Sequence, residues 1–202
     1  MQAKLKIYDF VKRMMDIAVS GAGLIISAPI QLTTAVVILM THGRPILFRQ
    51  RRPGKNGVVF EMIKFRTMLE PDSTHITDAD RLTKTGKFLR ATSLDELPSL
   101  WNVFKGDMSI VGPRPLLVEY LNHYSPEQAR RHEVRPGITG LAQVSGRNSI
   151  SWDERFKLDV DYVDHRNLKL DFKILIDTVC AVFRRQGISH EGHATMPKFS
   201  EE

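Results

Sequence analysis

The sequence predicts an α+β protein in which a long N-terminal helix precedes a compact, mainly helical domain with a small β element. Three features support this prediction: an uncharged run at residues 17–41, two β-prone segments near residues 46–65, and helical spacing of apolar residues after residue 151. We expect the first helix to be re-entrant in a membrane, with a proline break, and further helices to be interfacial. The predicted divisions are an anchor at 1–42, the domain at 43–190 and a tail at 191–202.

Composition limits the classes of protein to which the chain can belong. It has 202 residues, of which 42% are hydrophobic, one cysteine and a formal net charge of +6. The ordinary apolar share excludes a disordered or collagen-like chain, and the single cysteine excludes an internal disulfide framework. The excess positive charge favours an anionic partner such as nucleic acid, a phosphorylated metabolite or lipid headgroups.

The uncharged run at residues 17–41 is long enough, if helical, to cross a hydrocarbon layer of about 30 Å. Pro29 lies near its middle, where a proline removes a backbone hydrogen bond and bends a helix, and Ser27 is placed to satisfy a freed carbonyl. Basic residues flank both ends of the run: Lys4, Lys6, Lys12, Arg13, Arg44, Arg49, Arg51, Arg52 and Lys55. A spanning helix would break the positive-inside rule at one end, so a re-entrant helix is favoured over a spanning or soluble-core helix.

The middle of the chain begins with a predicted hairpin. Residues 46–48 and 58–65 are β-prone, and residues 51–57 form a turn region between them. Residues 70–80 predict an exposed loop, and residues 81–89 predict a short helix. Ser93 and Glu96 have capping-box spacing, which predicts a helix from Ser93 through about Phe104, ended by Gly106. Pro98 fits this helix poorly because it lies beyond the first turn.

Two further helices are predicted near the C-terminus. Ser151 and Glu154 form a second capping box. The apolar face of that helix comprises Trp152, Phe156, Val160 and Val163. A third helix covers residues 171–185, and its apolar side comprises Phe172, Leu175, Ile176, Val179, Val182 and Phe183. This side fits either the protein core or the surface of a bilayer.

The adjacent acids Asp95 and Glu96 fall in the first turn of a predicted helix. Acids there are stabilised by the helix dipole and by free backbone N–H groups, which explains the pair without any function. The alternative is a nucleophilic carboxylate beside a metal-binding one, since Mg²⁺ takes carboxylate oxygens together with substrate phosphates. The sequence alone leaves both interpretations open.

Three arginines lie in turns rich in glycine and proline: Arg114, Arg135 and Arg147. A stiff chain loses little entropy when its side chain binds an anion, and guanidinium groups match phosphate oxygens in pairs. Any one of them is explained as a solvated surface side chain. Together they indicate a polyanionic substrate such as a nucleotide diphosphate.

Several long motifs resemble one family. They are KFRTM (64–68), SLDELPSLWNV (93–103), GDMS (106–109), VGPRP (111–115), RPGITG (135–140) and GRN (146–148). They are similar to the bacterial sugar transferases, the monotopic phosphoglycosyl transferases, and the resemblance extends from residue 12 to residue 199. The chain looks like the small form of this family.

The resemblance implies a mechanism and a set of site residues. Asp95 would attack the sugar-bearing phosphorus of a UDP-sugar, UMP would leave, and a polyprenyl phosphate would then take the phosphosugar. Glu96 would take part in catalysis by holding Mg²⁺. The substrate-binding positions implied are Lys64, Arg66, Arg90, Pro113, Arg114, Arg147 and Asp159.

The resemblance also implies partners and a location. The expected partners are a UDP-sugar, undecaprenyl phosphate and membrane lipids, with no nucleic acid and with a homodimer left open. The expected location is the cytoplasmic face of the bacterial inner membrane, held monotopically. Residues near Trp152 and at 191–199 are similar to members that transfer phospho-N,N′-diacetylbacillosamine; another UDP-sugar, for capsule, exopolysaccharide or lipopolysaccharide, is the alternative. A silent membrane scaffold and a nucleic-acid binder are the competing classes.

Overall fold

The computed structural model describes residues 2–71, 77–146, 150–184 and 199. Its α-helices are α1 Gln2–His42, α2 Asp78–Arg81, α3 Lys84–Ala91, α4 Leu100–Lys105, α5 Pro126–Ala129, α6 Leu141–Ser145, α7 Trp152–His165 and α8 Leu168–Arg184. Its strands are β1 Leu47–Pro53, β2 Val59–Phe65, β3 Ser109–Val111 and β4 Gly137–Thr139. Short 3₁₀ helices cover Lys55–Gly57, Leu94–Ser99, Val118–Asn122 and Arg130–Glu133. The helix-rich α+β class is therefore confirmed.

Helix α1 is continuous through Pro29, so the proline does not divide it into two helices. Hydroxyl groups on both sides of the proline donate to helix carbonyls: Ser27 to that of Gly23 at 2.5 Å and Thr33 to that of Pro29 itself at 2.9 Å. The predicted role of Ser27 is wrong, because the carbonyl that Pro29 frees is that of Ile25, four residues earlier. Within the described residues, α1 is the one helix that is long and apolar enough to cross a membrane. Many of its large apolar side chains, such as Ile25, Ile26 and Met40, are exposed.

Both ends of α1 are fastened to the rest of the chain. Near its start, Arg13 donates to the carbonyls of Val103 and Phe104 at 2.7 and 2.8 Å, where α4 ends. Asp16 accepts from the backbone N–H of Ile110, in β3, at 3.0 Å. Near its end, Ile38 is fully buried against the hairpin and α3. The two ends of α1 therefore contact one and the same body.

Two small sheets complete the fold. Strands β1 and β2 form an antiparallel hairpin in which Leu47 is opposite Phe65 and Pro53 is opposite Val59. The hairpin is confirmed, but the predicted start of its turn at residue 51 is wrong, because β1 stays paired as far as Pro53. Strands β3 and β4 pair in parallel. Because they are three residues long and far apart in sequence, no local pattern predicts this pair.

The predicted capping box at Ser93 is wrong. Ser93 has a left-handed backbone, with φ of 57°, and its side chain caps no helix. The chain then forms the 3₁₀ helix Leu94–Ser99, and α4 begins only after it and ends at Gly106, as predicted. An α-helix through Pro98 would lose a hydrogen bond and press the ring against the carbonyl of Leu94, so a tighter turn takes its place.

The predicted loop and short helix before Ser93 are partly confirmed. Residues 72–76 lie outside the described residues, and the last part of the predicted loop, at 78–80, is helical in α2. The predicted helix at 81–89 is shifted, because Thr83 caps α3 by accepting from the backbone N–H of Gly86 at 2.9 Å.

The last two helices differ in how well they match prediction. Ser151 caps α7 by accepting from the backbone N–H of Glu154, and the predicted apolar face of α7 is buried. Helix α8 begins at Leu168, earlier than predicted, because Asn167 caps it. Its inward side carries Ile174, whereas Phe172, Ile176 and Val179 are 63%, 51% and 55% exposed. Of the two alternatives for this side of the helix, packing in the protein core is therefore wrong for these three side chains.

The two serines provide a stability test of the local structure. We expect Ser151→Ala to lower the free energy of unfolding by about 1 kcal/mol, and the Tm by about 2–4 °C, because α7 loses its cap. Ser93→Ala is the matched control and should leave the Tm unchanged, since that hydroxyl caps nothing. Thermal unfolding in detergent measures both. An equal loss in the two variants would contradict the assignment of the caps.

Candidate functional site

Asp95 and Glu96 lie in the first turn of the 3₁₀ helix Leu94–Ser99, directly after the left-handed Ser93. Ser99, at the other end of this turn, donates to the carbonyl of Ile63 in β2 at 2.8 Å, which fastens the turn to the hairpin. Both acidic side chains are partly buried. The turn therefore presents two adjacent carboxylates from a fixed backbone.

Glu96 is held by two cations. Its Oε1 accepts from Lys64 Nζ at 2.6 Å and from Arg114 Nη2 at 3.3 Å. Burial by itself raises the pKa of Glu96, but the charges of Lys64 and Arg114 outweigh burial and lower that pKa to about 2. Glu96 is therefore ionised at neutral pH and joins strand β2 to the loop that carries Arg114.

Asp95 differs from its neighbour in its contacts with the described part of the chain. Among the described residues, no side chain or backbone group donates a hydrogen bond to its carboxylate. Burial and the adjacent charge of Glu96 raise the pKa of Asp95 to about 6, against the opposing effect of nearby cations. At neutral pH the carboxylate is mostly ionised, and its oxygens remain available to a substrate.

Three of the predicted substrate-binding cations surround this pair. Lys64, Arg90 and Arg114 each act electrostatically on Asp95. Arg90, on α3, donates from Nε to Thr67 Oγ1 at 3.0 Å, which orients its guanidinium. Burial lowers the pKa of Lys64 and of Arg90 because it disfavours their charged forms. Three cations around two carboxylates leave an excess of positive charge that suits a diphosphate.

Four other predicted site residues are placed differently. Arg66 is buried and donates to the carbonyls of His42, Gly43 and Arg44, so it holds the end of α1. Pro113 is buried, and its carbonyl accepts from the N–H of Gly137 at 2.9 Å. The carboxylate of Asp159 is bound to a buried arginine. Arg147 lies outside the described residues.

Sequence reasoning missed three arginines near Arg114. Burial and the charge of Arg114 lower the pKa of Arg52 to about 10 and also lower the pKa of Arg155. The guanidinium of Arg155 lies 5.0 Å from the centre of the Trp152 ring. Arg131 donates to the carbonyl of Arg114 at 2.7 Å. The only sequence signal was the position of Arg52 beside the Pro-Gly turn, because the other two contacts join distant segments.

The pair of carboxylates fits a magnesium ion that is shared with a substrate. Within the described ranges, no group of three or more His, Cys, Asp or Glu side chains is placed to hold a metal. However, Oε2 of Glu96 and both oxygens of Asp95 accept no hydrogen bond from described residues. Mg²⁺ is commonly bound by one or two carboxylates together with substrate phosphates, and this donor set has that chemistry.

Replacement of Arg66 distinguishes a structural role from substrate binding. We expect Arg66→Met to lower the free energy of unfolding by about 3 kcal/mol, and the Tm by about 6–12 °C, because three carbonyls lose their donor. Arg49→Met is the control, since Arg49 forms an exposed pair with Glu61 that contributes about 0–1 kcal/mol. An Arg66→Met protein with normal Tm and a raised KM would support substrate binding instead.

Comparison with known proteins gives one consistent result. The bacterial sugar transferase family model matches residues 7–185. An uncharacterised sugar transferase, EpsL, of Bacillus subtilis (strain 168) is 49% identical over 193 residues, which cover 94% of this chain and 96% of the relative. A UDP-glucose:undecaprenyl-phosphate glucose-1-phosphate transferase of Caulobacter vibrioides is 40% identical over 184 residues, which cover 85% of this chain and 69% of the relative.

A third relative is a longer protein. The undecaprenyl-phosphate galactose phosphotransferase of Salmonella typhimurium is 37% identical over 198 residues, which cover 88% of this chain but 41% of the relative. The family model covers most of the described chain, including the turn with Asp95 and Glu96 and the loop with Arg114. The chain is therefore an enzyme of the bacterial sugar transferase family.

Proposed function

We propose that this enzyme transfers a sugar-1-phosphate from a UDP-sugar to undecaprenyl phosphate and releases UMP. The observation that carries the proposal is the ionised carboxylate of Asp95, which accepts no hydrogen bond from the described residues and lies near Lys64, Arg90 and Arg114. A carboxylate in this setting can act as a nucleophile towards a bound diphosphate. The names of the Caulobacter and Salmonella relatives describe the same acceptor lipid.

In the first half-reaction, an oxygen of Asp95 attacks the phosphorus that carries the sugar. The bond from that phosphorus to the bridging oxygen breaks, and the bridging oxygen leaves with UMP. Lys64, Arg90 and Arg114 are placed to neutralise charge on the phosphates as this bond breaks. The phosphosugar then remains bound to Asp95 as an acyl phosphate.

In the second half-reaction, an oxygen of undecaprenyl phosphate attacks the same phosphorus. The bond to Asp95 breaks, which restores the carboxylate and gives undecaprenyl diphosphate sugar. UMP leaves before the lipid reacts, so the kinetics are ping-pong. Glu96, with the oxygen of Asp95 that does not attack the phosphorus, would hold a magnesium ion, which would supply charge neutralisation at the diphosphate.

We infer that the enzyme is monotopic, with a re-entrant α1 and its site on the cytoplasmic face. Both ends of α1 contact the same body, and basic residues flank both ends of the apolar run. The exposed Phe172, Ile176 and Val179 of α8 suit the membrane interface. Membrane-impermeant labelling of Lys6→Cys and Arg44→Cys, both at exposed positions, with Cys180→Ser, tests this. Labelling from opposite sides would contradict it.

Two donor classes are candidates for the sugar. The motifs near Trp152 and at 191–199 favour UDP-N,N′-diacetylbacillosamine or a related N-acetylated sugar. The named activities of the relatives favour UDP-glucose or UDP-galactose. Both donors react at the same phosphorus, so the chemistry at Asp95 is unchanged.

The proposal is tested by measuring UMP. Detergent-solubilised enzyme is incubated with Mg²⁺ and each UDP-sugar, with and without undecaprenyl phosphate. Sustained UMP release that requires the lipid, with a phosphosugar mass on the protein when lipid is omitted, is the expected result, and the active donor identifies the sugar. No UMP and no added mass with any donor of the panel would contradict the proposal.

A further inference from the structure

We propose that Arg131 and Asp159 are positioning residues, which hold the main chain of Arg114 so that its guanidinium reaches Glu96. The inference rests on the proposed function, because it concerns the same reaction. It also changes the expected role of Asp159 from contact with the substrate to support of a residue that contacts it. Arg131 joins Asp159 to the site.

The pair itself is out of reach of any substrate. Oδ2 of Asp159 accepts from Arg131 Nε at 3.0 Å and from Nη2 at 2.7 Å. The two side chains are 1% and 3% exposed. A charged group that is closed off from solvent in this way acts through its protein contacts.

The remaining contacts of Arg131 fix the plane of its guanidinium. Nη2 also donates to the carbonyl oxygen of Arg114 at 2.7 Å, and Nη1 donates to the hydroxyl of Tyr124 at 3.3 Å. The guanidinium carbon lies 5.8 and 5.7 Å from the ring centres of Tyr124 and Phe156. With every nitrogen engaged, Arg131 has one orientation, and the Arg114 carbonyl is held at a defined point.

The hydrogen bond from Arg131 to the Arg114 carbonyl fixes one side of the loop that carries Arg114. On the other side the loop is fixed to β4, because Gly137 donates to the carbonyl of Pro113 and Gly112 donates to the carbonyl of Thr139. The side chain of Arg114 is 42% exposed, and among the described side chains it donates a hydrogen bond to Glu96 alone. Its reach to Glu96 is therefore set by its backbone.

The chemistry of the pair explains why these two residues occur together. A buried ion pair adds little stability over apolar side chains of similar volume. Only a guanidinium, however, can bind a carboxylate through two nitrogens and also donate to a nearby carbonyl. This difference allows the positioning role to be separated from the structural one.

The test replaces the pair by apolar residues of similar size, in the full chain. We expect Arg131→Met/Asp159→Leu to stay folded, with a Tm lowered by only about 2–4 °C for the one carbonyl that loses its donor, while kcat/KM for the UDP-sugar falls about tenfold to a hundredfold. Arg114→Ala should cause a loss at least as large. The triple variant should be no slower than Arg114→Ala alone, because the pair acts through Arg114.

The neighbouring exposed pair provides the control. Arg130 and Asp164 join the same two elements but are solvent-exposed, so Arg130→Met/Asp164→Leu should keep wild-type kcat/KM. If the buried double variant does not fold, Arg131→Lys replaces it. Lysine keeps the positive charge beside Asp159 but lacks the paired nitrogens of a guanidinium. The Arg131→Lys variant should therefore have a lower kcat/KM and an unchanged Tm.

Two results would overturn the inference. One is wild-type kcat/KM in a folded variant that lacks Arg131. The other is a loss that multiplies with that of Arg114→Ala, which would mean that the pair acts independently. The proposed function fails in a different way, through the absence of UMP release from the wild-type enzyme.

Discussion

Asp95→Asn is expected to lower the rate of UMP release by about a thousandfold or more. The amide has nearly the same shape but no negative charge, and it cannot form the acyl phosphate that the first half-reaction requires. Since the carboxylate accepts no hydrogen bond from described residues, the substitution removes no contact that holds the fold. UMP release in the presence of undecaprenyl phosphate measures the effect.

The control for this variant is Asp161→Asn, on the exposed surface of α7, which should keep the wild-type rate. Mass spectrometry of the protein after incubation with UDP-sugar alone gives a second readout. The phosphosugar adduct should be present in the wild type and absent in Asp95→Asn. A folded Asp95→Asn protein with a rate within tenfold of wild type would place the nucleophile elsewhere.

Glu96→Gln is expected to lower kcat/KM by about a hundredfold to a thousandfold. The substitution leaves Lys64 and Arg114 without their shared carboxylate and removes the oxygen proposed for the metal. It should also lower the pKa of Asp95 below about 6, because the adjacent negative charge helps to raise that pKa. Titration of the Asp95 carboxyl carbon by NMR, without added Mg²⁺, measures the shift.

Glu61→Gln is the matched control for Glu96→Gln. Glu61 pairs with Arg49 on the exposed hairpin, so its loss should change neither kcat/KM nor the pKa of Asp95. A near-normal kcat/KM in Glu96→Gln, with an unchanged dependence on Mg²⁺, would remove Glu96 from the site. The pair of variants therefore separates a local effect from a change of net charge.

Local sequence patterns predicted the elements that local forces determine. The apolar face of α7 and its cap at Ser151 follow from spacing within one helix, and the hairpin follows from β-prone segments around a turn. The pattern at Ser93 failed because Pro98 imposed a tighter turn on the same residues. The exposed side of α8 could not be predicted, since its periodicity fits a core and an interface equally well.

The site itself was predicted only in part. Motif resemblance identified Asp95, Glu96, Lys64, Arg90 and Arg114, which the structure brings together. The contacts of Arg131 and Arg52 join segments that are distant in the chain, so no local spacing reveals them. Arg66 was assigned to the substrate site from its motif, but it donates a hydrogen bond to the backbone after α1. A residue of a family motif can therefore stabilise the fold instead of contacting the substrate.

The attachment of α1 to the two halves of the site has a mechanical consequence. Arg13 donates a hydrogen bond to the end of α4, which follows the turn with Asp95. Asp16 accepts one from β3, which leads into the loop with Arg114. Arg13 and Asp16 lie one helical turn apart, so we expect a tilt of α1 to shift both contacts together and to leave the distance between them unchanged. With α1 in the membrane as proposed, the depth of the helix determines the height at which Asp95 meets the phosphate of the lipid substrate.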